Sequence, residues 1–178
     1  MQDEIPPIEG ETSEQTPKGA PGSAVRVPDG IYKIHTALSN GQSSLVDMYL
    51  NGSGSPSYRH GVKLYHNNNE PESTWRISYR NYFDGYIIYN GKLDSRTLEA
   101  VGPSDLYASA LLNTSPNLAP QTRQWIFKSA GSPDNYYIEC KLNGNVLDVR
   151  GSQIKDNTPI IHWPYHGTVN QRFILVKL

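Results

Sequence analysis

Short runs of alternating apolar and polar residues, separated by turn-forming residues, continue from residue 29 to the C-terminus. Alternation with a period of two is typical of strands that bury one face. Residues 30–35 alternate in this way, and residues 86–89 form a bulky run that ends at Asn90-Gly91, a strong hairpin signal. Residues 106–112 give the best helical pattern, but they lack capping residues. The pattern therefore predicts an all-β domain.

Three sequence markers recur along this domain with a period of about 50 residues. A turn that leads into a strand begins at Asp29, Asp84 and Asp134. An acid lies between apolar residues at Asp47, Glu99 and Asp148. A bulky aromatic residue, expected in the core, opens an alternating run at Trp75, Trp125 and Phe173. Three independent markers at one period indicate a threefold internal repeat, with about four short strands in each unit.

Three four-stranded units predict a closed barrel, because closure removes the exposed strand edges that such a chain would otherwise present. A propeller is less suitable, since it usually needs at least about four blades. The repeats are assigned to residues 29–83, 84–133 and 134–178. Residues 1–28 contain five prolines, no aromatic residue and a net charge of −3, so they are predicted to form a flexible acidic tail.

The composition agrees with a β-domain and argues against electrostatic partners. Twelve tyrosines favour strands, and 15 glycines and 13 prolines favour turns. The net charge of −1 gives no basis for nucleic-acid binding, and no apolar run approaches the roughly 18 residues of a membrane span. Cys140 is the only cysteine, which excludes an internal disulfide and favours a reducing compartment. The first residues show no signal peptide, so we expect a cytoplasmic protein, or one secreted without a visible signal peptide.

The stretch from residue 146 to residue 175 carries the strongest candidate for a binding site. Asp148 is followed by an indole at Trp163 and by two amides at Asn170 and Gln171. A carboxylate offers charge-assisted acceptors, an amide offers a donor and an acceptor, and an indole face covers apolar C–H groups. These groups together match the hydroxyl edge and the C–H face of a pyranose ring. We find no catalytic motif, cofactor motif or metal-ligand pattern, so a non-enzymatic binding protein is predicted.

Over about residues 28–178 the chain resembles the ricin-type (R-type) β-trefoil lectins. The resemblance rests on the threefold repeat, on Leu147-Asp148-Val149, and on a Gln-Arg-Phe close at residues 171–173 that is similar to the family's Gln-x-Trp signature. It implies a β-trefoil fold with one shallow sugar pocket in each repeat.

The resemblance also implies a role for each candidate residue of the third repeat. Asp148 would accept hydrogen bonds from sugar hydroxyls and Trp163 would stack on the ring. The amides that complete the polar set would be Asn170 and Gln171, and the rim would be formed by His162, Tyr165 and His166. Ile161 departs from the family pattern, which often has a polar residue at that position.

The other two repeats retain fewer of these residues. The first repeat keeps an acid, Asp47, and a ring, Tyr65, and either Asn67 or Asn68 could replace the missing amides. These four residues form the candidate second site. The second repeat has Glu99 at the acid position and no aromatic residue at the stacking position, so its site is expected to be lost.

By the same resemblance, the expected partners are galactose- or N-acetylgalactosamine-type glycans, on glycoproteins or glycolipids, bound mainly through the third repeat. A homodimer would raise the avidity of such a weak site. Two alternatives stay open. A β-trefoil protease inhibitor would act through the long loops, residues 50–61 and 103–120. The cell-targeting subunit of a toxin would use sugar or receptor binding to deliver a partner chain.

Overall fold

The computed structural model describes residues 19–39, 44–50, 59–110 and 115–178. Its strands are β1 Ala24–Val25, β2 Gly30–Thr36, β3 Ser44–Met48, β4 His60–His66, β5 Thr74–Arg80, β6 Gly85–Asn90, β7 Arg96–Val101, β8 Asp105–Ala110, β9 Trp125–Ser129, β10 Asn135–Cys140, β11 Val146–Val149, β12 Ile160–Trp163 and β13 Phe173–Lys177. Its helices are short 3-10 turns at Ala37–Ser39, Pro71–Ser73, Pro116–Leu118, Gln121–Arg123, Arg150–Ser152 and Val169–Gln171. Within these ranges no helix is long and apolar enough to cross a membrane.

Six strands form a closed antiparallel barrel in the order β2, β5, β6, β9, β10 and β13, and the last strand pairs with the first. The hairpins β3–β4, β7–β8 and β11–β12 meet one another at one end of this barrel. Each predicted unit supplies two barrel strands and one hairpin, which is the four-stranded repeat expected from the sequence. Residues 106–110 of the best helical pattern lie instead in strand β8, where Leu106 and Ala108 face the core.

The aromatic markers occupy equivalent places in the barrel. Each of the three aromatic side chains is buried. In the strand register each lies opposite a tyrosine of the neighbouring barrel strand: Trp75 opposite Tyr32, Trp125 opposite Tyr86, and Phe173 opposite Tyr136. In two repeats the indole also donates a hydrogen bond to the carbonyl that precedes the acid. Trp75 Nε1 lies 2.8 Å from Val46 O, and Trp125 Nε1 lies 3.1 Å from Leu98 O. The barrel aromatic residue is therefore tied to the hairpin that carries the acid.

Residues 19–28 belong to the packed domain rather than to the tail to which the sequence pattern assigned them. Strand β1 pairs with β9, and the side chains of Ala20 and Val27 are buried. Ala20 is held through its backbone: its N–H donates to Glu139 Oε2 at 2.8 Å, and Lys128 Nζ donates to its carbonyl at 2.6 Å. The remainder of the predicted tail, residues 1–18, lies outside the described residues.

The tyrosines at the barrel end complete the attachment of this N-terminal segment. The Tyr86 hydroxyl accepts a hydrogen bond from Val27 N–H at 2.7 Å and donates to Val27 O at 3.0 Å. The Tyr32 hydroxyl donates to Pro28 O at 2.6 Å. Buried backbone N–H and C=O groups need such partners, since leaving them unpaired is costly.

We expect Tyr86→Phe to lower the free energy of unfolding by about 1–3 kcal/mol, because it leaves the buried backbone groups of Val27 without a partner. The measurement is equilibrium unfolding in urea. Tyr82→Phe is the matched control, since the Tyr82 side chain is exposed. If both variants are equally stable, the hydroxyl of Tyr86 does not hold the N-terminal segment.

Candidate functional site

A cavity of about 510 Å³ opens beside the β11–β12 hairpin of the third repeat. From this repeat it is lined by Asp148, Ile161, Trp163, His166 and Asn170, together with residues 150 and 151. The strand register explains the arrangement, because Asp148 pairs with Ile161 and side chains alternate between the two faces of a hairpin. Asp148, Ile161 and Trp163 therefore share the cavity face.

The carboxylate of Asp148 is 3% exposed and is held by three side chains. Asn170 Nδ2 donates to its Oδ1 at 3.0 Å, Gln171 Nε2 donates to its Oδ2 at 3.0 Å, and His166 Nε2 lies 3.2 Å from Oδ2. Burial raises the pKa of Asp148 above its ordinary value, although the hydrogen bonds from Gln171, His166 and Asn170 act in the opposite direction. Oδ1 receives one hydrogen bond from the described residues, and a carboxylate oxygen can accept about two. It therefore has capacity for a ligand donor.

The two amides of the short Val169–Gln171 turn have different tasks. Gln171 is fully buried and lies behind the acid: besides Asp148 it contacts Pro164 O at 3.0 Å, and its Oε1 accepts from the N–H groups of His166 and Gly167 at 2.9 and 3.2 Å. It braces the site rather than lining it. Asn170 lines the cavity but uses both Nδ2 hydrogens, on Asp148 and on the Val149 carbonyl at 3.2 Å. Its carbonyl oxygen accepts from the Thr168 hydroxyl, and only the second acceptor position of that oxygen can serve a ligand.

Trp163 and His166 form the open walls of the cavity. Trp163 is 45% exposed at the end of β12, immediately before Pro164. The His166 side chain is 41% exposed and spans from the Asp148 carboxylate to the Thr168 hydroxyl, which lies 2.8 Å from its Nδ1. An indole with this exposure can cover an apolar ligand face next to the polar groups.

The prediction that His162 lies at the rim is wrong. Its side chain is fully buried, because Ile161 and Trp163 take the cavity face and alternation turns the residue between them to the opposite side. Asn145 Nδ2 donates to its Nδ1 at 3.0 Å, and its Nε2 donates to Val101 O at 3.3 Å. Burial lowers the pKa of His162, which favours the neutral ring that this pattern of hydrogen bonds requires.

Tyr165 also lies outside the cavity lining. It packs edge-on against Tyr137, with ring centroids 5.1 Å apart, beside the buried residues Ala20 and Val146. This residue supports the loop that leads to His166 and does not form the expected rim.

In the first repeat, the candidate second site is filled by a side chain of the protein. Lys63 pairs with Asp47 across the β3–β4 hairpin, at the position that Ile161 has in the third repeat. Its ammonium lies 3.8 Å from Asp47 Oδ1 and 4.3 Å from the centroid of the Tyr65 ring. The side-chain oxygens of Asn67 and Asn68 are also occupied. Asn67 Oδ1 accepts from Lys33 Nζ, and Asn68 Oδ1 accepts from the backbone N–H of residue 70. The predicted residues are therefore not assembled around an open hollow.

The acid of the second repeat is also neutralised from within the chain. Glu99 Oε2 lies 3.3 Å from Arg123 and 3.5 Å from Arg59. Arg123 occupies the position that Gln171 has in the third repeat, as does Ser73, which donates to Asp47 at 2.6 Å in the first. All three repeats therefore contact their acid from the equivalent residue. Among the described residues, Asp148 has no lysine or arginine partner, whereas Asp47 and Glu99 each have one or more. In the described ranges no group of three or more His, Cys, Asp or Glu residues could hold a metal ion.

Solved structures match this chain, whereas no family model and no curated protein does. A ricin B-like lectin of Macrolepiota procera, solved in complex with lactose, has a TM-score of 0.65 and 16% identity, over 86% of this chain and all of the lectin. A proteinase inhibitor from Coprinopsis cinerea has a TM-score of 0.64 and 14% identity, over 86% of this chain and all of the inhibitor. A mosquitocidal holotoxin has a TM-score of 0.71 and 16% identity, over 86% of this chain but only 18% of the holotoxin.

The domain has a β-trefoil fold. The barrel with three hairpins and the likeness to the lectin together confirm the fold expected from the repeats. At these identities the matches show the fold alone, and a lectin, an inhibitor and a toxin share it. The loops through which an inhibitor would act include residues 51–58 and 111–114, which lie outside the described residues.

We expect His162→Leu to lower the free energy of unfolding by about 1–3 kcal/mol, because the buried Asn145 amide and the Val101 carbonyl would each lose a partner. His66→Leu is the matched control, since the His66 side chain is 58% exposed. Urea unfolding of both variants provides the test. Equal stability of the two variants would mean that the buried imidazole does not join the second and third repeats.

Proposed function

We propose that the third repeat of this β-trefoil binds a galactose-type sugar: galactose, N-acetylgalactosamine or a glycan that ends in one of them. The observation that carries the proposal is the common cavity of Asp148, Trp163 and Asn170. A buried carboxylate, an amide carbonyl and an exposed indole are the groups that a neutral polyol with one apolar face requires. The galactose class itself comes from the likeness to R-type lectins, of which the Macrolepiota lectin was solved with lactose.

In the proposed complex the sugar ring lies against the indole face of Trp163 and presents one edge to the acid. A hydroxyl donates to Asp148 Oδ1, whose second acceptor position is unused by the described residues. A neighbouring hydroxyl donates to the Asn170 carbonyl oxygen. Ile161, between the acid and the indole, contacts C–H groups of the ring rather than a hydroxyl, which departs from the polar contact common in the family.

The distribution of charge supports the third repeat over the other two. A lysine lies beside the first acid and two arginines beside the second. A sugar hydroxyl would have to displace these cations, which interact more strongly with a buried carboxylate than a neutral donor does. Asp148 is held by neutral amides and one histidine, so a hydroxyl can add to its hydrogen bonds without displacing a cation.

The proposed activity is binding without chemistry, and its strength is modest. An open cavity buries little area, so a single site should bind with a Kd from about millimolar to tens of micromolar. Glycoproteins and glycolipids that carry several copies of the sugar would bind more tightly if a second copy of this chain supplied another site.

We expect Asp148→Ala to weaken the binding of methyl β-galactoside at least about tenfold, since a hydrogen bond to a charged group contributes roughly 1.5–3 kcal/mol. Isothermal titration calorimetry measures the change. Asp47→Ala, at the equivalent position of the first repeat, should bind as the unmodified protein does. Trp163→Ala, at an exposed position, gives a second test if Asp148→Ala does not fold. Unchanged affinity in both Asp148→Ala and Trp163→Ala would remove the third repeat as the site.

The same affinity should fall as the pH is lowered. The pKa of Asp148 is raised above 3.8, so the loss should begin at a higher pH than for an ordinary exposed carboxyl. Protonation turns one acceptor oxygen into a donor and removes the charge that strengthens the hydrogen bond. Titrations at successive pH values provide the measurement, with His166→Gln to separate any contribution of the neighbouring imidazole. A loss that disappears in His166→Gln would assign the effect to the histidine instead.

A further inference from the structure

The cavity is larger than the third repeat alone explains. Its lining also includes Ser104, in the β7–β8 turn of the second repeat, Asp105, the first residue of β8, and Arg150. A volume of about 510 Å³ falls within the range of roughly 300–1,000 Å³ that is usual for small-molecule binding sites. The space beside Asp148 is thus a site between two repeats.

The β7–β8 turn, which leads into Asp105, is held by the hairpin that carries Trp163. His162 N–H donates to Ser104 O at 3.0 Å, and the His162 ring donates to Val101 O at 3.3 Å. Because His162 is buried and directly precedes Trp163, the two walls of the cavity are held at a fixed separation. A wall that is already ordered binds a ligand without an additional ordering cost.

Asp105 and Arg150 are charged groups on these walls, and the Asp105 charge acts at a distance on the buried His162 ring. Within the described ranges, neither the Asp105 carboxylate nor the Arg150 guanidinium takes part in an ion pair or a side-chain hydrogen bond. The acids of the first and second repeats contrast with this, since both are paired with cations. Asp105 offers acceptors and Arg150 offers donors to the same cavity, and their charges cancel. A neutral polyol suits such a pair better than an acidic sugar.

We propose that Asp105 and Arg150 form a second subsite for a neutral sugar ring, so that the cavity takes a disaccharide with its terminal ring at Asp148. The inference rests on the proposed sugar-binding function and adds a contribution of the second repeat, whose own pocket is blocked. Asp105 determines the preference for the extended ligand, and His162 is the positioning residue that holds the turn before Asp105.

Calorimetric titrations with methyl β-galactoside and with lactose test the subsite. The unmodified protein should bind lactose about three- to tenfold more tightly, because one or two additional hydrogen bonds separate the two ligands. Asp105→Ala should remove this difference and leave the affinity for methyl β-galactoside unchanged. Asp94→Ala, an exposed acid of the same repeat outside the cavity lining, should retain the preference for lactose.

Each other outcome overturns a defined part of the proposal. Equal affinity of the unmodified protein for the two sugars would exclude the subsite while leaving the Asp148 site standing. Equal weakening of both sugars by Asp105→Ala would make Asp105 part of the primary site, and no effect would exclude it. Absence of binding to either sugar would overturn the proposed function and the subsite together.

Discussion

The buried carboxylate at the base of each hairpin is the constraint on which the site depends. A charge removed from water must be compensated by partners within the protein. In every repeat one partner comes from the residue two positions before the barrel aromatic residue: Ser73, Arg123 or Gln171. The other side chains around the acid differ between the repeats, and they determine whether a ligand can approach it. Lysine and arginine close the first two repeats, whereas amides and a histidine leave the third open.

The loss of one hydrogen bond accompanies this opening. The indole N–H groups of Trp75 and Trp125 donate to the carbonyl before the acid of their repeat, but the side chain of Phe173 has no N–H group. In the third repeat Asn170 instead donates to the Val149 carbonyl, one residue after the acid. The amide that faces the cavity therefore also ties the Val169–Gln171 turn to strand β11. The donors of Asn170 are used for folding, so in the proposed complex only its carbonyl oxygen contacts the ligand.

The repeat and the β-class could be predicted from the sequence, because a period of about 50 residues places equivalent side chains at equivalent points. The sequence also named Asp148, Trp163 and Asn170, which the structure brings to one cavity. The burial of His162 also follows from the sequence, because Ile161 and Trp163 on either side of it share one face of the strand and His162 must lie on the other. The insertion of Lys63 beside Asp47 needed the β3–β4 register, which no local pattern gives. The docking of residues 19–28 and the approach of Asp105 depend on partners far away in the chain, so local composition could not reveal them.

The fold alone does not decide the function, since a lectin, a proteinase inhibitor and a toxin share it. The case for sugar binding depends on one exposed indole, Trp163, beside one buried carboxylate, Asp148, that can accept a further hydrogen bond. The three tryptophans allow a direct test by NMR, because Trp75 and Trp125 are buried with bonded indole N–H groups and Trp163 is exposed. On addition of methyl β-galactoside, the indole N–H signal of Trp163 should shift while the other two stay in place. A titration that moves none of the three signals, or only the buried pair, would contradict the account.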